Sequence, residues 1–266
     1  MMLANYAKYA FTRVLQKTGL ADLQLQVGQR SHCIIPDPPL VVKAFTAKEA
    51  RDSLLGDPSL QVVLRLAASA RTFWDVGANM GLFSILARDA NPNIEVVSIE
   101  ASTDFYQVLC RNWQISPRNW ICLHVAVGDK AGPVQMSRGL RGWDHVLSSS
   151  ELGTDKPCEQ RPMMTLDALA QLVGHDCVDL LKIDVEGMEL GVLRGASNLL
   201  DAGRIGTIVL EADGHDLRYG SSNAELVAFL ASKNYSLDTA TLGGRASNNC
   251  QVFRFGNART PAAGLQ

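Results

Sequence analysis

The chain has 266 residues, 47% hydrophobic and 20% charged, a composition that supports a sizeable core and excludes a disordered chain. Its 25 basic and 27 acidic residues give a formal charge of −2 with no Lys/Arg block, which disfavours nucleic acid as the main partner. Six cysteines without a C-x-x-C pair speak against a zinc cluster and a disulfide framework, and fit a reducing cytoplasm.

In chain order, "MMLANYAKYAFTRVLQKTGL" sets Leu3, Tyr6, Ala7, Ala10, Phe11, Val14 and Leu15 at helical spacing. The spacing predicts an amphipathic helix, expected to pack on its own domain. Neither a secretory h-region nor an 18-residue apolar run is seen, so no membrane span is expected. "SHCIIPDPPLVVKAF" has two short apolar runs broken by Pro36, Pro38 and Pro39, as edge strands or an extended crossing would. "AKEARDSLLGDPSLQVVLRLAASA" reads as two helices divided at Gly56-Asp57-Pro58. Residues 1–70 thus form an N-terminal extension or cap.

From Thr72 strands and helices alternate. "TFWDVG" is a strand, "NMGLFSILARDA" a helix, "IEVVSIE" a strand, "STDFYQVLCRNWQIS" a helix and "WICLHVAVGD" a strand. A Gly- and Ser-rich linker follows, "SRGLRGWDHVLSSSELGTDKPCEQRP", in which Trp143, Asp144, His145 and Ser148 are candidates to cover or touch an acceptor. Then come "TLDALAQLVG" (helix), "VDLLKIDVEG" (strand), "MELGVLRGASNLLDAG" (helix) and "IGTIVLEAD" (strand). Such alternation predicts a doubly wound α/β domain with a mainly parallel sheet, over 71–258, followed by a flexible tail at 259–266.

Ligands of these sheets bind beyond the carboxyl ends of the strands, and here the ends are Asp75-Val-Gly77, Glu100, Gly128-Asp129, Asp184-Val-Glu186 and Glu211-Ala-Asp213. In the turn Asp75 to Gly81, Gly77 admits a close backbone approach and Gly81 allows the helix to pack tightly. A dinucleotide turn would begin with glycine and face a pyrophosphate. Asp75 in that place repels phosphate and suits a cationic ammonium. Glu100, 25 residues on, can accept both hydrogen bonds of a ribose diol. Asp75, Gly77, Ala78, Asn79, Gly81 and Glu100 are therefore the cofactor-binding candidates, for a nucleoside with a cationic tail and no phosphate.

"FWDVGANMGLFSILA" resembles the first motif of Rossmann-like S-adenosylmethionine-dependent methyltransferases. "VDLLKIDVEGMELGVLRGA", with "TLDAL" upstream, resembles the FkbM family specifically. The likeness runs from about Thr72 to Asp213 and is sharpest at Ile183-Asp184-Val185-Glu186-Gly187-Met188-Glu189. It implies a seven-stranded methyltransferase sheet, S-adenosyl-L-methionine as cofactor, and methyl transfer to oxygen, often a hydroxyl of a sugar or natural-product precursor. Acceptor choice is expected to lie in the unmatched segments, before residue 70 and after about 215.

A hydroxyl is a poor nucleophile and needs a base or a metal. Asp184, Glu186, Glu211 and His215 are the catalytic candidates, with Asp213 and Glu189 nearby. Asp184 or Glu186 as a plain helix cap is the competing explanation, as is Lys182 as the partner of an acid. The clustered acids would suit Mg²⁺ better than zinc, but beside a cationic cofactor they have a simpler use, so no metal site is assigned. His124 is expected in the core, while His32, His145 and His175 show no metal spacing. An NAD-type Rossmann enzyme is disfavoured by Asp75 and by the incomplete glycine motif. A methyltransferase-like binding or scaffold protein remains the non-enzymatic alternative.

Overall fold

The computed structural model describes residues 23–27, 30–34, 57–138, 144–155, 157–211, 215–241 and 250–256. The expected N-terminal helix, the Pro36–Pro39 region, the helix before Gly56 and the tail at 259–266 lie outside these residues. Within the N-terminal part, β1 (Leu23–Val27) and β2 (Arg30–Ile34) form an antiparallel hairpin, and β2 lies alongside the later helix Thr103–Ile115. Helix α1 (Pro58–Ala67) starts where Asp57 caps the amide of Leu60 at 2.9 Å and Pro58 fills the first turn.

The central sheet grows from short strands rich in β-branched residues. These are β3 (Thr72–Val76), β4 (Glu95–Ile99), β5 (Trp120–Leu123), β9 (Val178–Ile183) and β10 (Ile205–Glu211), closed by β11 (Tyr235–Leu237) and β12 (Cys250–Phe255). Their order is β11-β12-β10-β9-β3-β4-β5. The first five pair in parallel, and β12 runs antiparallel to both its neighbours. After β5 the chain crosses back to the other side of β3, so the reversal of strand order lies between β3 and β4 on one side and β9 on the other. That reversal opens the ligand crevice of such sheets.

Alternation along each strand sends side chains into two cores. Trp74, Val76, Leu181, Ile183 and Ile208 pack under α4 (Leu166–Val173), α5 (Glu189–Arg194), α6 (Ser197–Asp201) and α7 (Asn223–Ser232). Phe73, Val96, Leu180 and Val209 pack under α1, α2 (Leu82–Ala90) and α3 (Thr103–Ile115). Both sheet faces are covered, as a parallel sheet requires. Since Leu60, Val63 and Ala67 of α1 share the core of Phe73, the boundary drawn at residue 70 falls within a packed unit.

Two expected elements differ from the observed ones. "WICLHVAVGD" is not one strand: it breaks after Leu123, where His124 stacks on Tyr106 with ring centroids 4.2 Å apart. Beyond the break, β6 (Ala126–Val127) leaves the main sheet and joins β7 (Gly132–Ser137) and β8 (Cys158–Met164) in a second sheet of order β6-β8-β7. The linker expected between strand and helix therefore joins β7 to β8 and carries most of β8 itself. The predicted helix "MELGVLRGASNLLDAG" is two, α5 and α6. They part at Gly195, where a Cβ would stand 2.0 Å from the Gly128 carbonyl oxygen, so the helix turns to let two backbones meet. Among the described residues no helix is long and apolar enough to cross a membrane.

Candidate active site

A polar row runs across the sheet just below its carboxyl edge. Register sets Lys182 of β9 beside Asp75 of β3, and Asp75 beside Ser98 of β4. All three are buried. Ser84, from α2 above, donates to Asp75 Oδ2 at 2.7 Å and meets Ser98 Oγ at 2.6 Å, while Trp120 Nε1 donates to Ser98 at 2.7 Å. Lys182 Nζ stands 3.4 Å from Asp75 Oδ1 and donates to the Gly77 carbonyl at 2.9 Å and to Asp184 Oδ2 at 3.1 Å. Burial opposes the charge on this lysine, yet Asp184, Asp75 and Glu211 outweigh it and raise its pKa.

Above that row the chain makes the turn read from the sequence. The amides of Gly77 and Ala78 both donate to the Ile99 carbonyl, at 2.9 and 3.0 Å. Gly77 has φ +75, and a Cβ there would lie 1.7 Å from the Asp184 carbonyl oxygen, so only glycine lets the turn close on the end of β9. Asn79 follows at φ +51, its amide donating to Glu100 Oε2 at 2.7 Å and its side chain accepting from Met80. Gly81, at φ +88, opens α2, and a Cβ there would strike Leu109 at 2.7 Å.

Glu100, 8% exposed, accepts the Asn79 amide on one oxygen and the Ser102 amide, at 2.7 Å, on the other. Burial pushes its pKa up to about 7, against the pull of those two amides. A cleft runs from this carboxyl to the end of β9. It is lined by Gly77, Asn79 and Glu100, by the apolar side chains of Ala101, Phe105, Val125 and Ala126, by Asp184, Glu186 and Met188, and by Met136, Asp144 and His145.

The turn that ends β9 is built by Glu189. Its buried Oε1 accepts the amides of Val185 at 3.2 Å and Gly187 at 3.1 Å, and burial lifts its pKa to about 7. This holds Glu186 at φ +59 and Gly187 at φ +106, conformations that cost a non-glycine residue free energy unless its surroundings fix them. Arg218 adds a hydrogen bond to the Glu186 carbonyl at 3.2 Å. The cap position of α5 is taken by Met188, which makes no side-chain capping bond, and Asp184 and Glu186, considered as caps, line the cleft.

The sequence candidates fall into three groups. Gly77, Asn79 and Glu100 line the cleft together with Asp184 and Glu186, while Ala78 and Gly81 shape the turn behind them. Asp75 does not reach the cleft: it is 0% exposed and engaged with Ser84 and Lys182, so its expected contact with an ammonium is replaced by support of the turn from below. Glu211 ends β10 outside the cleft lining and acts on Lys182 through its charge. His215 begins a short 3₁₀ helix, His215–Tyr219, and its side chain, like Asp213 and Trp143, is outside the described residues. His145 and Ser148 are tied to Glu151, His145 Nε2 at 3.2 Å and Ser148 Oγ at 2.9 Å. Among the described residues no three His, Cys, Asp or Glu side chains are grouped to hold a metal ion.

The model of the methyltransferase FkbM domain matches residues 75–237, more than half of the chain and the whole of the cleft just described. The chain belongs to the FkbM methyltransferase family. No curated protein sequence matches it significantly. Solved structures of similar fold include a TehB-like SAM-dependent methyltransferase from Corynebacterium glutamicum, with 11% identity over 82% of this chain and 99% of that one and a TM-score of 0.42. An O-methyltransferase from Bacillus cereus in complex with SAH has 15% identity over 83% and 90%, with a TM-score of 0.38. Precorrin-6y C5,15-methyltransferase from Geobacter metallireducens has 19% identity over 67% and 72%, with a TM-score of 0.41.

As an FkbM methyltransferase the protein uses S-adenosylmethionine, and its cleft fits that molecule. The turn at Gly77 closes backbone on backbone, Glu100 presents a buried carboxyl to the space beside it, and the Ala101, Phe105, Val125 and Ala126 wall offers an apolar slot.

Proposed function

We propose that this FkbM methyltransferase methylates a hydroxyl oxygen, on a sugar or another natural-product precursor, with Asp184 and Glu186 on the acceptor side of the cleft. The observation that carries this reading is the pair of carboxyls lining the cleft where β9 ends, one turn of backbone from Gly77. The cofactor supplies an electrophilic methyl on a sulfonium, which loses its charge as the methyl leaves. Asp184, held by Lys182 at 3.1 Å, accepts the hydrogen bond of the acceptor hydroxyl and takes up its proton as the new C–O bond forms. Glu186, fixed in a left-handed turn, orients a neighbouring polar group of the acceptor. The enclosing walls supply alignment, which is worth effective molarities of roughly 10⁵ M or more in well-oriented systems.

In the same reading the cofactor lies along Gly77, Ala78, Asn79, Gly81 and Glu100, and no metal takes part. Segments outside 75–237, including the N-terminal 1–70, shape acceptor choice. The cysteines are free at 110, 122, 158, 177 and 250, which supports a cytoplasmic location.

The test is labelled-methyl transfer to a panel of hydroxylated acceptors, with the product examined by NMR. A methoxy signal is expected, and methylation on nitrogen or carbon would overturn the oxygen assignment. With an acceptor in hand, Asp184→Asn should lower turnover by about 10²-fold or more while cofactor affinity changes far less. Near-normal turnover would move the role to Glu186.

A further inference from the structure

The 3₁₀ helix His215–Tyr219 lies between two segments that line the cleft, and two of its consecutive side chains reach both. With three residues per turn, neighbouring side chains of such a helix leave it in directions about 120° apart. Leu217 points outward and is 76% exposed. Arg218 Nη1 donates to the Glu186 carbonyl at 3.2 Å, and the Tyr219 hydroxyl donates to the Val146 carbonyl. Glu186 and Val146 both line the cleft, one in the turn that ends β9 and the other in the segment that follows Asp144.

Both ends of this bridge are anchored. β7 is the outer strand of β6-β8-β7, and Val146 pairs with its Met136, flanked by the Leu147 amide on the Gln135 carbonyl at 2.7 Å and the Ser137 amide on the His145 carbonyl at 2.8 Å. A hold on Val146 is therefore a hold on the small sheet. Glu186 stands at φ +59, a conformation its surroundings must fix. The bridging helix runs into α7, where Ser222 caps the Glu225 amide at 3.2 Å and Glu225 pairs with Arg194 of α5 at 2.6 Å. Burial raises the pKa of the Tyr219 phenol, with Arg218 pulling the other way, so the hydroxyl keeps its proton and donates at neutral pH.

We propose that Arg218 and Tyr219 form a clamp that sets the spacing between the β9 turn and the small sheet, and so decides which acceptors fit. It rests on the acceptor binding beside Asp184 and Glu186. Both residues hold backbone carbonyls rather than reacting atoms, so they are positioning residues. A gap fixed before the acceptor arrives discriminates by size, because a bulky group must break those two bonds to enter, whereas loosened walls move apart for it.

The test compares the wild-type full chain with Tyr219→Phe, which keeps the ring and loses the bond to Val146, and with Arg218→Met and Arg218→Lys. Hydrogen exchange needs no acceptor. In Tyr219→Phe and in Arg218→Met, peptides covering 144–148 and 185–188 should exchange together, about fivefold faster, the scale of one lost hydrogen bond, while β3 and β4 keep their wild-type rates. Arg218→Lys still donates to Glu186 and should stay near wild type. The second readout is the ratio of kcat/KM for a compact and a bulky acceptor from the hydroxylated panel, a ratio independent of how much enzyme is folded. It should fall about fivefold in Tyr219→Phe, with S-adenosylhomocysteine affinity within about threefold of wild type. Faster exchange on one side alone, or an unchanged ratio in Tyr219→Phe, would overturn the clamp. NMR of the products separates it from the reading beneath: a collapsed ratio among acceptors methylated on nitrogen or carbon supports the clamp and removes the oxygen assignment.

Discussion

Lys182 Nζ lies between two carboxylates of different exposure, the fully buried Asp75 at 3.4 Å and the cleft-facing Asp184 at 3.1 Å. One cation thereby balances an interior charge and holds a cleft side chain in place. Lys182→Met should cost roughly 3–5 kcal/mol of stability, because Asp75 keeps a buried charge without its partner. Adding Asp75→Asn removes that charge and still accepts from Ser84, so melting should recover while turnover stays low. Recovery of both together would show that Lys182 does nothing beyond supporting the fold.

Glu100 titrates at about 7 in the ligand-free protein because it is buried. In the proposed cofactor pose the diol contact needs its carboxylate, so binding favours the deprotonated form. S-adenosylhomocysteine affinity should therefore rise from pH 6 to pH 8, by about tenfold for one pKa unit of protonation at the lower limit. Calorimetry in buffers of different ionisation enthalpy should detect proton release on binding near pH 6 and almost none at pH 8. Glu100→Gln should bind weakly and without this slope.

Glu189 has the opposite consequence for the fold. Its pKa is raised from 4.5 to about 7, so the folded state holds the proton more tightly than the unfolded one. The resulting stability is full below about pH 4.5 and is lost as pH climbs through 7, by on the order of 3 kcal/mol at most. Glu189→Gln keeps a carbonyl for the Val185 and Gly187 amides and cannot ionise. Its melting temperature should fall less than that of wild type between pH 5 and pH 8.5, and a parallel fall would exclude Glu189 as the source.

Chelation tests the charge balance of the cleft from another side. Lys182 already stands where a cation would neutralise Asp75 and Asp184. Exhaustive treatment with EDTA should leave most of the turnover, and complete loss reversed only by Mg²⁺ would contradict this.

The core of the domain was legible because its signals are local. "TFWDVG" and "VDLLKIDVEG" are unbroken apolar runs ending in Gly and acid, and both are central strands as expected. The position of Gly77, Asn79 and Glu100 at the crevice was legible for the same reason, since turn chemistry and strand ends place them there. Asp75 was misplaced because sequence does not tell which face of β3 it takes; alternation with the buried Trp74 and Val76 sends it under α2 beside Lys182. The small sheet was hidden because a Gly- and Ser-rich stretch separates two of its strands, though "GPVQMS" and "CEQRPMM" largely alternate exposed and covered positions, a period-2 signal weaker than the turn residues around it. The role of Glu189 had its own clue, an acid two residues past Gly187 and four past Val185, within reach of the amides it accepts.

Because β6 pairs in parallel with β8, Ala126 faces Met163 and Val127 faces Met164, and the Gly128 amide bonds the Met164 carbonyl at 3.1 Å. The excursion between them leaves and re-enters the domain through one doorway. Its length and content are thus decoupled from the register of the central sheet, much as a cassette is decoupled from the frame that receives it. A segment exchanged between residues 128 and 163 would meet the rest of the domain at that one pairing and leave the strands of the central sheet as they are.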